Sequence, residues 1–364
     1  MALRVFRSID ILREMWEFQS GYYHDMLPFL GLKLLPRPVW QYSLRTSSAA
    51  IDLDPPHALL SAWYEVYGVD RLSQLMRSLP YMREIVLADA IAFGFIPVLE
   101  SLNLIESLAK CIDNGHLCLA AAYGHVAVMH FLNNCPFGWT PDVMDCAAAY
   151  GQLETVRWLH ENRSEGCTVN AMHNAAHEGH LSVVEFLHFN RSEGCGAQAM
   201  DLAASNGHLH VVQWLHKNRT EGCTVEAMVW AAGNGHLDIV KWLHENRPET
   251  SFAPNAIVFA AEFGHLNVVK FLFEDHLDGH KEKPFLAYLA MNAAAKAGND
   301  DIVWALWQET KAKRSNLLRQ AKEAGHSDFI QWLRQVSVRQ RASAMHNNQS
   351  IVPESSKMGM EDTA

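Results

Sequence analysis

The chain has 364 residues, 49% of them hydrophobic and 19% charged, with a formal net charge of −10 and an isoelectric point near 6.0. This is globular composition, long enough for two ordinary domains or one long array. A mildly acidic chain has no general attraction to phosphate backbones, and no run of about 18 apolar residues exists, so neither nucleic-acid binding nor a membrane span is expected.

Residues 1–56 do not repeat. Asp10 and Arg13 arrive before any apolar stretch forms, so a secretory leader is not expected. Ile9, Leu12, Met15, Trp16 and Phe18 give a rough helical stripe, and an apolar run from Met26 to Leu32 leads to Pro36-Arg37-Pro38. The segment is expected to be a helical cap over the first repeat, or else a small docking module. Residues 57–112 carry weak copies of a phrase that then becomes plain, at Gly94 and Gly68.

From residue 113 to 336 the sequence repeats itself. The phrase Ala175-Ala176-His177-Glu178-Gly179-His180-Leu181, ending Phe186-Leu187-His188, returns from Ala203 to His216 and again from Ala231 to His244. The marker glycines are Gly124, Gly151, Gly179, Gly207, Gly235, Gly264, Gly298 and Gly325, with a central spacing of 28 residues. Each unit reads as two short helices. Thr140, Thr168 and Thr224 stand as N-caps, and Ala-Met-x-x-Ala-Ala puts apolar residues at i, i+3 and i+4. Glycine then breaks the helix, and a second helix carries a stripe such as Leu153, Val156 and Leu159 beside Trp158. One such pair cannot bury its own apolar face, so the array is stable only as an array, with Phe131, Trp158, Phe186, Trp214, Trp242, Phe271 and Trp332 expected in the shared core. Between Gly264 and Gly298 the spacing grows to 34, and Asp278 to Pro284 reads as a longer loop. The polar tail, 337–364, is expected to be disordered, and its Arg339-Gln340-Arg341-Ala342-Ser343 has the look of a basophilic kinase site.

The phrase Ala-Ala-x-x-Gly-His-Leu-x-x-Val-x-x-Leu strongly resembles the ankyrin repeat over roughly residues 83–336. The unit here is 28 residues rather than about 33. Met144, Met172, Met200 and Met228 replace the leucine of the family's Thr-Pro-Leu-His turn. The missing length falls in the inter-repeat loop. The expected fold is therefore all-α, an ankyrin-like helical repeat solenoid with little or no β-hairpin finger. The resemblance implies protein–protein recognition and no reaction. An alternative is a substrate-recruiting adaptor of a ubiquitin-ligase-type complex, docking through an F-box-like segment in residues 1–56.

Twenty histidines raise the question of a metal, but eleven of them fall in two repeat columns. Equivalent positions in stacked helices lie about 8–10 Å apart, too far to share an ion whose ligands sit at about 2 Å. His116, His125, His180, His208, His236, His265 and His326 follow a glycine at a turn and are expected to bond neighbouring backbone. Seven cysteines without a secreted framework point to reduced thiols in a cytoplasmic or nuclear setting. No nucleophile elbow, phosphate-cradling loop or paired carboxylates appear, so no catalytic residue, cofactor or metal is assigned. Recognition is expected where the repeat leaves columns free. Asp145, His173, Asp201 and Val229 stand six before the marker glycine, and His177, Ser205 and Glu262 two before it. Columns four apart share a helix face, and by the resemblance this face lines the concave side and binds another protein. The protein is expected to act as a monomer.

Overall fold

The computed structural model describes residues 23–34, 53–105, 108, 111–133, 138–247 and 253–336. The stripe from Ile9 to Phe18, the Pro36–Pro38 stretch and the 337–364 tail lie outside them. The chain divides into two compact units, one of residues 1–203 with 208–222 and one of 204–207 with 223–364. Among the described residues every regular element is a helix, and the hairpin fingers of longer repeats are absent.

The first unit opens with a 3-10 helix, His24–Leu34. It continues through α1 (Asp54–Tyr67), α2 (Leu72–Ser78), α3 (Met82–Ala92), α4 (Ile96–Ile105), α5 (Asn114–Tyr123) and α6 (Val126–Asn133). Next come α7 (Asp142–Ala149), α8 (Leu153–Asn162), α9 (Val169–His177), α10 (Leu181–Asn190), α11 (Gln198–Ser205) and α12 (Leu209–Asn218). The 3-10 helix is bolted to α1 by buried Met26 and Phe29, whose ring meets Trp63 edge-on at 6.1 Å. Asp25 accepts from Trp63 Nε1 (3.1 Å) and pairs with Arg71 (2.9 Å), which satisfies a carboxylate held inside the fold.

Local chemistry sets the helix ends. Thr168 Oγ1 accepts from Asn170 N at 3.1 Å, and Thr224 Oγ1 accepts from Glu226 N at the same distance. Thr140 departs from this pattern: Pro141 takes the N-cap position of α7 with no side-chain capping bond, and the Thr140 hydroxyl donates to Asn114 Oδ1 (3.0 Å). The first helices stack on one another, α3 on α5, α5 on α7 and α7 on α9, through alanines with no exposed surface such as Ala147, Ala148, Ala175 and Ala176. The second helices bury Val156, Leu159, Val183, Val184 and Leu187, each worth about 1.5–3 kcal/mol.

Two contacts join one repeat to the next. The first is at the turn. His125 Nε2 donates to Ala92 O (2.7 Å), Gln152 Nε2 to Ala122 O (2.9 Å), and His180 and His208 bond the carbonyls of Ala149 and His177. The second is in the loop, where Arg191 Nε donates to Glu193 Oε2 (3.2 Å) while Arg191 Nη1 donates to His160 Nδ1 (3.3 Å) of the preceding repeat. The His160 ring also meets Phe186 edge-on at 5.6 Å. Arg219, Glu221, His188 and Trp214 repeat the arrangement, and Asn133 takes the histidine's place for Arg163. These contacts leave Trp158 and Phe186 buried but Phe131 and Trp214 only half-buried, so the aromatic column lines the edge of the core as well as its interior.

His116 does not belong to the turn column. It is the third residue of α5, inside a capping box with Asp113, and its ring is 3.6 Å from Glu84. Burial works against its charge, but the two carboxylates more than offset that and hold its pKa above the ordinary value.

The second unit contains α13 (Val225–Gly233), α14 (Leu237–Asn246), α15 (Pro254–Glu262), α16 (Leu266–Phe271), α17 (Lys283–Ala297), α18 (Asp300–Thr310), α19 (Arg314–Ala324) and a helix over residues 327–336. α13 packs on α15 and α15 on α17. The extra length before Gly298 is only partly a loop. A π-helical turn, Leu272–His276, follows α16, and Lys283 and Pro284 already belong to α17, which runs 15 residues against nine in α15. Proline in a first helical turn starts the helix without losing a bond.

Gly179 carries both demands of the turn. Its φ is +79°, and an added Cβ would lie 2.5 Å from His208 Nδ1. Gly298 has a φ of +85° with nothing within 4 Å of such a Cβ. Gly298→Ala should cost only the left-handed backbone, about 1–2 kcal/mol. Gly179→Ala should cost a further 1–3 kcal/mol or about that, from overpacking against the ring. Urea denaturation of the two variants tests this, and equal losses would remove the histidine from the lock.

Candidate functional site

The columns chosen for their variability divide into two environments. Asp145 is buried, and its carboxylate accepts Thr168 N at 2.8 Å and the Thr168 hydroxyl. His173 is buried, and its Nε2 accepts Gly196 N at 3.0 Å. Both acceptors thus receive the start of the following first helix. The residue changes because the receiving chemistry changes, from a threonine with a hydroxyl to a glycine with only an N–H. Ser205 is buried, with Asn234 Nδ2 donating to its carbonyl (2.7 Å) and its Oγ (3.2 Å). Val229 is buried as well. Solvent reaches His177, whose Nδ1 is 2.9 Å from Glu178 Oε1, and also Asp201 and Glu262. The expectation that all seven share a solvated face therefore needs correction for Asp145, His173, Ser205 and Val229, which are occupied in packing.

The exposed side of the first helices is rotated by one residue from the column that holds Asp145. It carries Asn174 and Leu202 in the first unit and Trp230 and Phe259 in the second. Trp230 is 49% exposed, Phe259 39% and Phe263 60%. The Phe259 and Phe263 rings lie one helical turn apart, nearly parallel (11°), with centroids 6.3 Å apart. Gly233, one turn after Trp230, faces the same pair: a Cβ there would make ordinary van der Waals contact with Phe259 Cβ at 3.4 Å and Phe263 Cδ2 at 3.9 Å. Trp230 Nε1 donates to Glu226 Oε2 at 2.6 Å, and Glu262 is exposed beside Phe263. Three large aromatic side chains thus stand exposed on two first helices that pack together, α13 and α15 with its end, and Glu226 and Glu262 stand beside them. The signal was present in the sequence, since Trp230 and Phe259 interrupt a column that holds Cys146, Asn174 and Leu202 elsewhere.

Among the described residues no group of three or more His, Cys, Asp or Glu is placed to hold a metal ion, and six cysteines are free thiols. Burial pushes the Cys167 thiol up to about 12, so it stays protonated and unreactive. Burial opposes the charge of Glu193, yet Arg191 and the backbone amides of the loop hold its carboxyl down at about 2. The fold contains no described helix long and apolar enough to cross a membrane.

Asp145→Ala should destabilise the first unit by about 1–3 kcal/mol, because it orphans a backbone N–H and a hydroxyl. Chemical denaturation checks this, and a loss below about 0.5 kcal/mol, the usual surface value, would return Asp145 to the solvated face.

Burial also holds the pKa values of His173, His180 and His208 below the ordinary histidine value. Depressed histidines favour the neutral folded form. Their stabilisation is present above the unfolded pKa of about 6.5 and is lost as pH falls from there through the folded value. The melting temperature should therefore decline between pH 7 and pH 5. His180→Gln with His208→Gln, borrowing the amide that Gln152 supplies, should fold and show a shallower decline. Identical slopes would mean that other groups govern the window.

Residues 172–251, 200–285 and 228–314 match a family model described as ankyrin repeats in three copies. Residues 144–188 match a second model, described as ankyrin repeats in many copies. No curated protein gives a significant match to the chain.

Proposed function

The chain is an ankyrin-repeat protein, and we propose that it is a non-enzymatic interaction scaffold that binds one partner protein on the solvent-facing side of its first helices. Repeats of this family generally mediate protein–protein interaction. The observation that carries the reading is the exposed cluster of Trp230, Phe259 and Phe263. Keeping these aromatics in water serves no packing purpose, and buried aromatics are the anchors of most protein interfaces. Glu226 and Glu262 at the rim favour a partner segment that presents an apolar side chain between lysines or arginines. Within the first unit, His177 and Asp201 also offer solvent-reached hydrogen-bonding groups on first helices. The free thiols support a reducing intracellular setting, and the reading assigns the chain no reaction and no cofactor.

The triple variant Trp230→Ala, Phe259→Ala, Phe263→Ala should keep its helical circular dichroism and lose partner affinity at least about tenfold, or 1.4 kcal/mol. The partner comes from proximity labelling in the native cell, and titration calorimetry measures both proteins. Equal affinities with both chains folded would move recognition elsewhere on the molecule.

A further inference from the structure

The second unit holds a groove of about 390 Å³ that the repeat pattern does not account for. It lies between the beginning of α17 and α19. Tyr288, Met291 and Leu317 form its buried floor, Phe285 stands at its mouth 59% exposed, and Lys281 and Lys313 stand at its rim. Asn316 and Gln320 add exposed amides along one side.

The groove owes its shape to the additional residues before Gly298. α17 begins well ahead of the place where α15 begins in the preceding repeat, so its first turns extend the helix beyond the standard repeat. An insert that only filled space would turn its polar residues to water and its phenylalanine inward. Here the phenylalanine is exposed. Of the insert's lysines, Lys283 is taken up by Asp278 (3.5 Å) and by the Phe273 ring (4.5 Å), which removes it from the rim. Lys281 and Lys313 are exposed and have no carboxylate partner among the described residues, and no Asp or Glu lines the groove. In a chain of net charge −10 this is a local reversal of sign over an apolar floor. The Tyr288 hydroxyl is already bonded to His326 Nδ1 at 2.9 Å, so the floor offers that ring to a ligand as apolar surface.

We propose that this groove docks an acidic segment of a partner protein, in which Asp or Glu side chains flank one aliphatic or aromatic side chain. The apolar side chain seats on Met291 and Leu317 against Phe285, and the carboxylates reach Lys281 and Lys313. The site is separate in residues and opposite in charge from the aromatic cluster of Trp230, Phe259 and Phe263, so each stands or falls without the other.

The test pans a phage-displayed library of random dodecamer peptides against the full chain and measures recovered peptides by fluorescence anisotropy. The expected peptides carry Asp or Glu around a Leu, Phe or Trp. Their affinity should fall at least tenfold in the double variant Lys281→Glu, Lys313→Glu, fall further with added salt, and weaken in Phe285→Ser. All these substitutions are at exposed positions, and circular dichroism confirms that the variants fold. Peptides remade with lysine in place of each acid should in turn prefer the Lys281→Glu, Lys313→Glu variant over the native chain. The proposal is overturned if no peptide binds above background or if the recovered peptides lack acids. Unchanged affinity in the lysine double variant overturns it too, as does binding that disappears only when Trp230, Phe259 and Phe263 are replaced.

Discussion

Successive repeats reach back with one side chain into the turn of the predecessor, and much of the architecture depends on that contact; the last departs from the pattern, since His326 Nδ1 meets the Tyr288 hydroxyl instead. The group that reaches back is a nitrogen donor: His125, Gln152, His180, His208 or Asn299. It satisfies a carbonyl left open at the end of the previous first helix, where the helix has no further turn to donate to it. A glycine at that end permits both the left-handed backbone and the close approach of the ring. Histidine is therefore one solution among three, selected for an N–H at the right reach. The recurrence of histidine at this position follows from the repeat.

A second layer of contacts holds the loops in register. Arg191 and Arg219 each bind the glutamate of their own loop and the histidine of the preceding second helix. Such pairs lie near solvent, where a single ion pair contributes at most about 1 kcal/mol. Their value is geometric. A planar guanidinium that touches both partners sets the spacing of one loop against the next, which a flexible ammonium would do less well. The short loop that results leaves no chain for a hairpin finger, so the reduced repeat length and the purely helical fold have one origin.

Stacking of this kind consumes most side chains and leaves few to spare. On the first helices, alanine and methionine face inward, Asp145 and His173 bond the next repeat, and from the adjacent column Asn174, Leu202, Trp230 and Phe259 meet water. In the second unit that column is aromatic, and further along the same unit an extended helix opens a groove of opposite charge. An ankyrin array makes such surfaces possible because its core is complete without them. Aromatic and basic residues can then be carried outside at little cost in stability.

The amino-acid sequence alone determined the repeat, its helix pairs, the stop glycines and the absence of hairpin fingers, because these rest on local periodicity and on contacts between equivalent positions. Met172, Ala175 and Ala176 recur for packing, and their burial follows from their spacing. What a variable polar residue touches is a different matter. Asp145 and His173 look like free surface positions in the sequence, yet they accept hydrogen bonds from Thr168 and Gly196 in the following repeat. Periodicity gives the direction of a side chain to within about a third of a turn. It does not say whether water or a neighbouring amide stands at its end. The same limit applied to the insert before Gly298. Its charge and length read as a loop, but Pro284 starts a helix there. Only the packing of that helix beside α19 produces the groove, because a groove is a property of two elements at a distance and no single stretch of sequence contains both.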